Sequence, residues 1–239
     1  MEEAIVNRGY MMKLQFLGSQ PVAGNVISFN FKPEASLSWQ PGQYIHYVLP
    51  HADADDRGDE RWFTNSAAPS EGVVRISTRI DSEHGSSFKR ALQQLQPGDE
   101  VEADGPEGDF VIEDDSRNYI FVAGGIGITL FRSMLEEANT QGKQLNVNLL
   151  YANRTQDIPF KEELERYVAA NPDLKIEYVI QPDALSAELI KQHADAVDNP
   201  LIYLSGPEPM VKSFADELKV LGVDETVVKL DDFPGYESI

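Results

Sequence analysis

Residues 121–131 read FVAGGIGITLF: an apolar run, then Gly124, Gly125 and Gly127, then a second apolar run with different spacing. Glycine lacks a Cβ, so a turn built from it lets the backbone approach a neighbour or a ligand closely. A helix opening at such a turn adds unpaired N–H groups and the positive end of its dipole, which suits a phosphate. The stretch therefore reads in two ways, as a pyrophosphate turn or as a turn that packs strand on helix. It is not a G-x-G-x-x-G fingerprint, because the third glycine counted from Gly125 would fall at Leu130. No Gly-Lys-Ser/Thr follows, so it is not a P-loop.

Working outward from this turn, strands and helices alternate. NYIFVA (118–123), LNVNLLYA (145–152), LKIEYVI (174–180), PLIYLS (200–205) and TVVKL (226–230) read as strands. Between them lie helical spacings: Ile128, Phe131, Met134, Leu135 and Ala138 on one face, segments near 160–170 and 185–193, and a segment near 207–220. Strands apolar throughout, alternating with helices, predict a parallel sheet covered on both faces. A second glycine opening, SGPEPM (205–210), follows another such strand, with Gly206 for close approach and Pro207 at a helix start. Met210 there is a ligand contact or simply a core residue.

Upstream the texture differs. VISFNF (26–31), YIHYVL (44–49), VVRIST (73–78) and DEVEAD (99–104) are short runs, with PG turns at 41–42 and 97–98. They predict an antiparallel β-barrel or sandwich. SSFKRALQQL (86–95) interrupts them with helical spacing, Phe88, Ala91, Leu92 and Leu95 sharing a face and Ser86 as N-cap. The expected fold is thus two-domain: residues 1–115 as the barrel, and residues 116–239 as an α/β parallel-sheet domain with an aromatic tail. The polar stretch EDDSR (113–117) marks the boundary.

Composition limits the function. With 20 basic and 40 acidic residues the net charge is −20, which disfavours nucleic acid and anionic membranes as partners. No cysteine is present, so disulfides, thiolate zinc sites and Cys-held iron–sulfur clusters are excluded. The acidic start MEEAIVNRGYMMKLQF lacks a signal-peptide pattern, and no run reaches the ~18 apolar residues of a membrane span. A cytoplasmic protein without membrane insertion is the expectation. No resident metal is expected either. The acidic loop HADADDRGDE (51–60) fails EF-hand spacing, with Arg57 at the fifth position and Thr64 at the twelfth. His46, His51, His84 and His193 are scattered.

Taken in order, six motifs resemble those of the ferredoxin–NADP⁺ reductase-like superfamily over nearly the whole chain. RWFTNSAAP (61–69) is similar to its Arg-x-Tyr-Ser/Thr flavin motif, and PGQYIHYVLP (41–50) to the strand before it. HGSSFKRALQQLQPGDEVEADGPEGDF (84–110) resembles the phosphate-binding helix start and the barrel exit. VAGGIGIT, SGPEPM and DDFPGY (231–236) resemble the pyrophosphate turn, the Cys-Gly-Pro-x-x-Met segment and the aromatic tail. Three residues depart from the pattern: Phe63 for tyrosine, Leu130 for proline and Ser205 for cysteine.

The resemblance implies FAD on the first domain and NAD(P)H on the second. It implies that Arg61 pairs with the FAD pyrophosphate, Phe63 packs on the flavin ring and Thr64 bonds near flavin N5. Thr78, Gly85, Ser86 and Ser87 complete the flavin side. On the nucleotide side it implies Gly124, Gly125, Gly127 and Thr129 at the pyrophosphate, with Ser205, Gly206, Pro207 and Met210 near the nicotinamide. Phe233 and Tyr236 would cover the flavin's other face. Thr64 and Ser205 are the catalytic candidates. Arg154, just past the second strand of this domain, favours NADPH by pairing with a 2′-phosphate. Each assignment has a plainer alternative: an ion pair of Arg61 with DADDRGDE, a core role for Phe63, N-capping by Ser86, an Arg154–Asp157 pair, a frayed tail.

The expected function is a stand-alone FAD-dependent oxidoreductase, moving a hydride from NAD(P)H to flavin and electrons to a separate acceptor. That acceptor is a ferredoxin, a flavodoxin, a quinone or a metal chelate; an acidic ferredoxin would need a local basic patch. The alternatives are a reductase using flavin as a released substrate and a nucleotide-binding sensor or scaffold without turnover.

Overall fold

The computed structural model describes residues 11–34, 37–81, 83–181 and 183–233. Six strands come first: β1 (Met12–Ala23), β2 (Val26–Lys32), β3 (Tyr44–Val48), β4 (Glu60–Thr64), β5 (Val74–Arg79) and β6 (Glu100–Glu107). They pair as one curled antiparallel half-barrel in the order β4-β3-β6-β1-β2-β5. β1 shows why the sheet has one dry face: Met12, Leu14 and Phe16 are buried while Lys13, Gln15 and Leu17 are exposed. The buried set meets Phe29, Phe31, Ile45, Tyr47, Ile76 and Val101 in one core. Helix α1 (Ser87–Gln94) closes that core with Phe88 and Leu92, and Ser86 caps it by accepting from the Lys89 N–H at 3.3 Å.

The second half alternates as its periodicity predicts. Strands β7 (Asn118–Gly124), β8 (Asn146–Asn153), β9 (Leu174–Ile180), β10 (Pro200–Pro207) and β11 (Val228–Phe233) form a parallel sheet in the order β11-β10-β7-β8-β9. Helices α2 (Ile128–Thr140) and α3 (Lys161–Ala170) cover one face; α4 (Ala187–Asp195) and α5 (Glu208–Val220) cover the other. In β7, Tyr119, Phe121 and Ala123 pack toward α2 and α3, while Ile120 and Val122 pack toward α4 and α5. A strand buried on both sides has to be apolar at every position, which is why this half of the sequence was the more legible.

The two sheets meet through packed side chains and a buried ion cluster. Phe110, on the segment leaving β6, lies 4.7 Å from Tyr203 and 6.1 Å from Phe131, measured between ring centroids. Arg132 of α2 is 4% exposed and donates to the Ser66 carbonyl at 3.0 Å and to both oxygens of Glu71. Glu71 also pairs with Arg75 at 2.9 Å and accepts from the Ala68 N–H at 2.7 Å. Burial pushes the Glu71 carboxyl up, but the Arg132 and Arg75 guanidinium groups outweigh this and hold it below its ordinary value.

A carboxyl depressed by folding contributes stability above its unfolded pKa of about 4.3 and loses it as pH falls through the folded value. Glu71→Gln should lower stability by about 1.5–3 kcal/mol at neutral pH, the worth of a charged hydrogen bond. It should also flatten the fall of the unfolding midpoint below about pH 4.3 in calorimetric scans. An acid profile identical to that of the parent would assign the sensitivity to other carboxylates.

Candidate functional site

β7 and β10 are hydrogen-bonded parallel neighbours, with Ala123 opposite Ser205. The chain runs outward from β7 to β8 and β9, then returns to the other side for β10 and β11. The strand order therefore reverses between β7 and β10, and ligands bind at the carboxyl ends beside such a switch point. Both glycine openings sit there. Their immediate task is packing: a Cβ on Gly127 would lie 2.4 Å from the Ser205 carbonyl oxygen, and one on Gly124 would lie 2.5 Å from the Met210 sulfur. Gly206 is equally tight, 2.6 Å from Met210 Cε. The packing alternative thus accounts for three of the glycines, and half-buried Met210 is the wedge they accommodate.

Gly125 is different. It adopts φ +54, and a Cβ there would lie 2.6 Å from Nη2 of Arg79. Arg79 is the last residue of β5, so the antiparallel sheet delivers a guanidinium onto the turn that opens α2. It is half-buried and makes no ion pair with a described residue. The sequence singled out its neighbour Thr78, which is 5% exposed, and missed Arg79 itself. Thr129 is 4% exposed within the first turn of α2, and Leu130, fully buried, fills the core where the superfamily has proline.

At the end of β8 the polar groups are donors. Asn153 is 8% exposed and its Nδ2 has no partner. Arg154 beside it is exposed, and no Arg154–Asp157 pair forms; Asp157 instead turns toward Gly24, where a Cβ would lie 3.3 Å from its Oδ2. Ser205 is fully buried and donates to Asp231 Oδ2 at 2.9 Å, so its hydroxyl is committed to β11. Phe233 ends β11 opposite Pro207. Tyr236 lies outside the described residues.

On the flavin side the candidate side chains also have partners within the chain. Arg61 donates to the carbonyls of Glu60, Arg57 and Gly58 and stands 3.9 Å from Asp55. Phe63 packs on Tyr47 and Phe88, at 6.0 and 5.8 Å between centroids. Thr64 is half-buried at the end of β4, and the next residue, Asn65, is 1% exposed with Nδ2 unpartnered. Gly85 is required by its own turn, where a Cβ would lie 2.2 Å from the Asp81 carbonyl oxygen.

The notable occupant of this place is Asp55, in the acidic loop whose spacing fails the EF-hand pattern. Its Oδ2 accepts from the Ser87 N–H at 2.7 Å and from Arg57 Nη2 at 2.7 Å, and Ser87 Oγ receives the Asp55 N–H at 2.9 Å. The Arg57 guanidinium holds its carboxyl well below the usual carboxylate range, with the Ser87 N–H adding to this against the opposing effect of burial. A carboxylate gathered by a helix N-terminus and arginines is a stand-in for a phosphate, so this donor set fits an anionic cofactor. The nucleotide side fits one too, since Arg79, Asn153 and Arg154 are donors with no carboxylate among them. Among the described residues, no group of three His, Cys, Asp or Glu side chains could hold a metal, and no helix is long and apolar enough to cross a membrane.

Residues 121–216 match the family Oxidoreductase NAD-binding domain. The chain is 28% identical over 232 residues to the toluate 1,2-dioxygenase electron transfer component of Pseudomonas putida, covering 88% of this chain and 66% of that protein. It is 27% identical over 90% of its length to a flavohemoprotein of Halalkalibacterium halodurans, of which it spans 57%. The chain thus spans about two thirds or less of these curated relatives. Among solved structures, a cytochrome P450 reductase from Amycolatopsis superposes with a TM-score of 0.79 at 19% identity, covering 98% of this chain and 74% of that one. Ferredoxin-NADP⁺ reductase from Plasmodium falciparum gives 0.78 at 17% identity, covering 93% and 96%. The chain has the two-domain fold of the ferredoxin–NADP⁺ reductase-like superfamily, as its motifs implied.

Gly127→Ala tests the switch point. The added methyl cannot coexist with the Ser205 carbonyl, so β7 and β10 must part at their carboxyl ends. NAD(P)H affinity should fall by about tenfold or more, since positioning within a fraction of an ångström decides such sites, while binding of FAD stays within about twofold. Titration calorimetry with each ligand separates the two; parallel losses would indicate general unfolding.

Proposed function

We propose that the chain takes a hydride from NADPH onto FAD and passes electrons to an acceptor centre outside the described residues. The observation that carries this reading is the pairing of two anion-ready donor sets, one on each sheet, across one packed interface. When bound, NADPH supplies the hydride and FAD accepts it and releases electrons singly. The protein's share is placement.

Arg79 and the N-terminus of α2 are assigned to the nucleotide pyrophosphate, where a guanidinium and backbone N–H groups meet at Gly125. Arg154 and Asn153 are assigned to the 2′-phosphate. The freedom of Arg154 from Asp157 supports NADPH over NADH. Thr64, with the Asn65 amide beside it, is assigned to the reacting edge of the flavin. Ser205 acts there as a buried floor, its proton held by Asp231, rather than as a proton donor. The named roles of the relatives, an electron transfer component of a dioxygenase and a flavohemoprotein, support an oxygenase component or a haem group as acceptor.

A second reading, in which flavin is a released substrate, is favoured by one observation: Asp55 already engages the Ser87 N–H and Arg57. FAD phosphates would have to displace it. The spectrum of purified, desalted protein distinguishes the readings. A flavin spectrum that bleaches on anaerobic addition of NADPH supports a retained cofactor. A colourless protein that oxidises NADPH only with added flavin supports the second. Retained FAD and bound nucleotide without reduction would sink both.

Two variants sharpen the test. Arg154→Ala should raise the NADPH Kd by about tenfold or more, the loss of one charge-assisted phosphate contact, and leave NADH within about twofold. Asp55→Asn weakens the internal competitor and should tighten FAD binding by severalfold in fluorescence titrations. Weaker binding would show instead that Asp55 organises the arginines for FAD.

A further inference from the structure

Resting on the reductase reading above, we propose that Arg132 is a positioning residue that fixes the gap between the flavin-bearing and nucleotide-bearing sheets. Arg132 lies on α2, the helix that opens at the glycine turn, and reaches back to the loop that follows Thr64. Nη1 donates to the Ser66 carbonyl at 3.0 Å and to Glu71; Nη2 donates to Glu71 Oε1 at 3.0 Å and to Glu163 Oε2 at 2.6 Å. Nε donates to Glu163 Oε2 at 2.8 Å. The next residue repeats the tie: Ser133 Oγ donates to the Ala67 carbonyl at 2.9 Å. Two consecutive residues of α2 thus grip two consecutive carbonyls of the loop beside the flavin position.

The surroundings enforce this geometry. Glu136 stands 3.8 Å from the guanidinium and accepts from the Tyr167 hydroxyl at 2.5 Å. The Phe160 ring lies 5.8 Å from the guanidinium carbon, and Phe160 holds φ 61, a conformation that bulky side chains rarely adopt. A buried ion pair is a weak source of net stability, because apolar replacements of similar volume often do as well. What an apolar residue cannot reproduce is direction. A planar fork held by carboxylates from the loop and from α3 fixes both distance and angle between the sheets. Hydride transfer needs reacting atoms about 3–3.5 Å apart, and a 1 Å error costs about a hundredfold. The latch therefore acts on the rate of transfer and leaves binding of either cofactor intact.

Arg132→Lys keeps the charge and loses the fork. In anaerobic stopped-flow it should slow flavin reduction by about tenfold or more, with FAD content and NADPH affinity within about twofold of the parent. Because the chain has no cysteine, nitroxide labels at Gln94→Cys and Asp216→Cys report the inter-sheet distance without interference. That distribution should broaden in the lysine variant. Ser133→Ala, a milder cut in the same tie, should show both effects in smaller degree and serves if the lysine variant does not fold.

Unchanged reduction rates in folded variants would overturn the proposal, as would a slow rate explained by lost NADPH binding. A narrow label distribution in both variants would overturn it as well, whatever the rates. Failure of the parent protein to be reduced by either nucleotide, with FAD supplied, would instead overturn the reductase reading; the label distances then judge the latch on their own.

Discussion

Contact between the carboxyl ends of β7 and β10 is the constraint on which the rest of the structure depends. Gly127 lies so close to the Ser205 carbonyl that no side chain fits between them. That approach brings the start of α2 beside the start of α5 at the switch point set by the strand order. Once α2 is placed, its side chains determine where the antiparallel sheet docks, because Arg132 and Ser133 hold the loop after β4. Nucleotide turn and flavin-side loop are thus two ends of one short mechanical path. A glycine turn that packs strands tightly and one that leaves backbone N–H groups for a phosphate are not rival explanations here. On the proposed reading the first produces the second.

Legibility in the sequence followed burial. Strands β7 and β10 are largely apolar because helices cover both faces, and even edge strand β9, with Lys175 and Glu177 exposed, could be placed to within a few residues. β1 escaped notice although Met12, Leu14 and Phe16 alternate cleanly. Gly18 and Pro21 break the pattern, and the register shifts at Phe16/Gly18 and Pro21/Ala23 show that the strand itself is irregular there. β4 was visible only as a motif, since its five residues are all partly or fully exposed.

The site was legible at its glycines and opaque at its charges. Arg132 sits in a helix whose surroundings read as core, and Glu71 and Glu163 are 61 and 31 residues away. No local pattern announces such a partner. Arg79 and Asp55 are similar cases. Each gains meaning from a turn on another element, Gly125 for the one and Ser87 for the other. Sequence periodicity reports which face is dry, but not which two chains of bonds converge in space.

A chain with net charge −20 is at first sight a poor host for two anionic dinucleotides. The local numbers decide otherwise. At physiological salt the Debye length is about 8 Å, so charges scattered over the rest of the surface are largely screened from a bound phosphate. A guanidinium 4 Å from a phosphate charge is worth on the order of 4 kcal/mol at an effective dielectric of about 20. One such contact outweighs many screened repulsions. One carboxylate, that of Asp55, sits directly on a donor of α1. There the chain supplies its own anion. If FAD binds as proposed, its affinity is a competition between a tethered carboxylate at high effective concentration and a diffusible diphosphate with twice the oxygens. On the proposed reading, that local contest, more than the net charge, sets whether the flavin is retained or turned over.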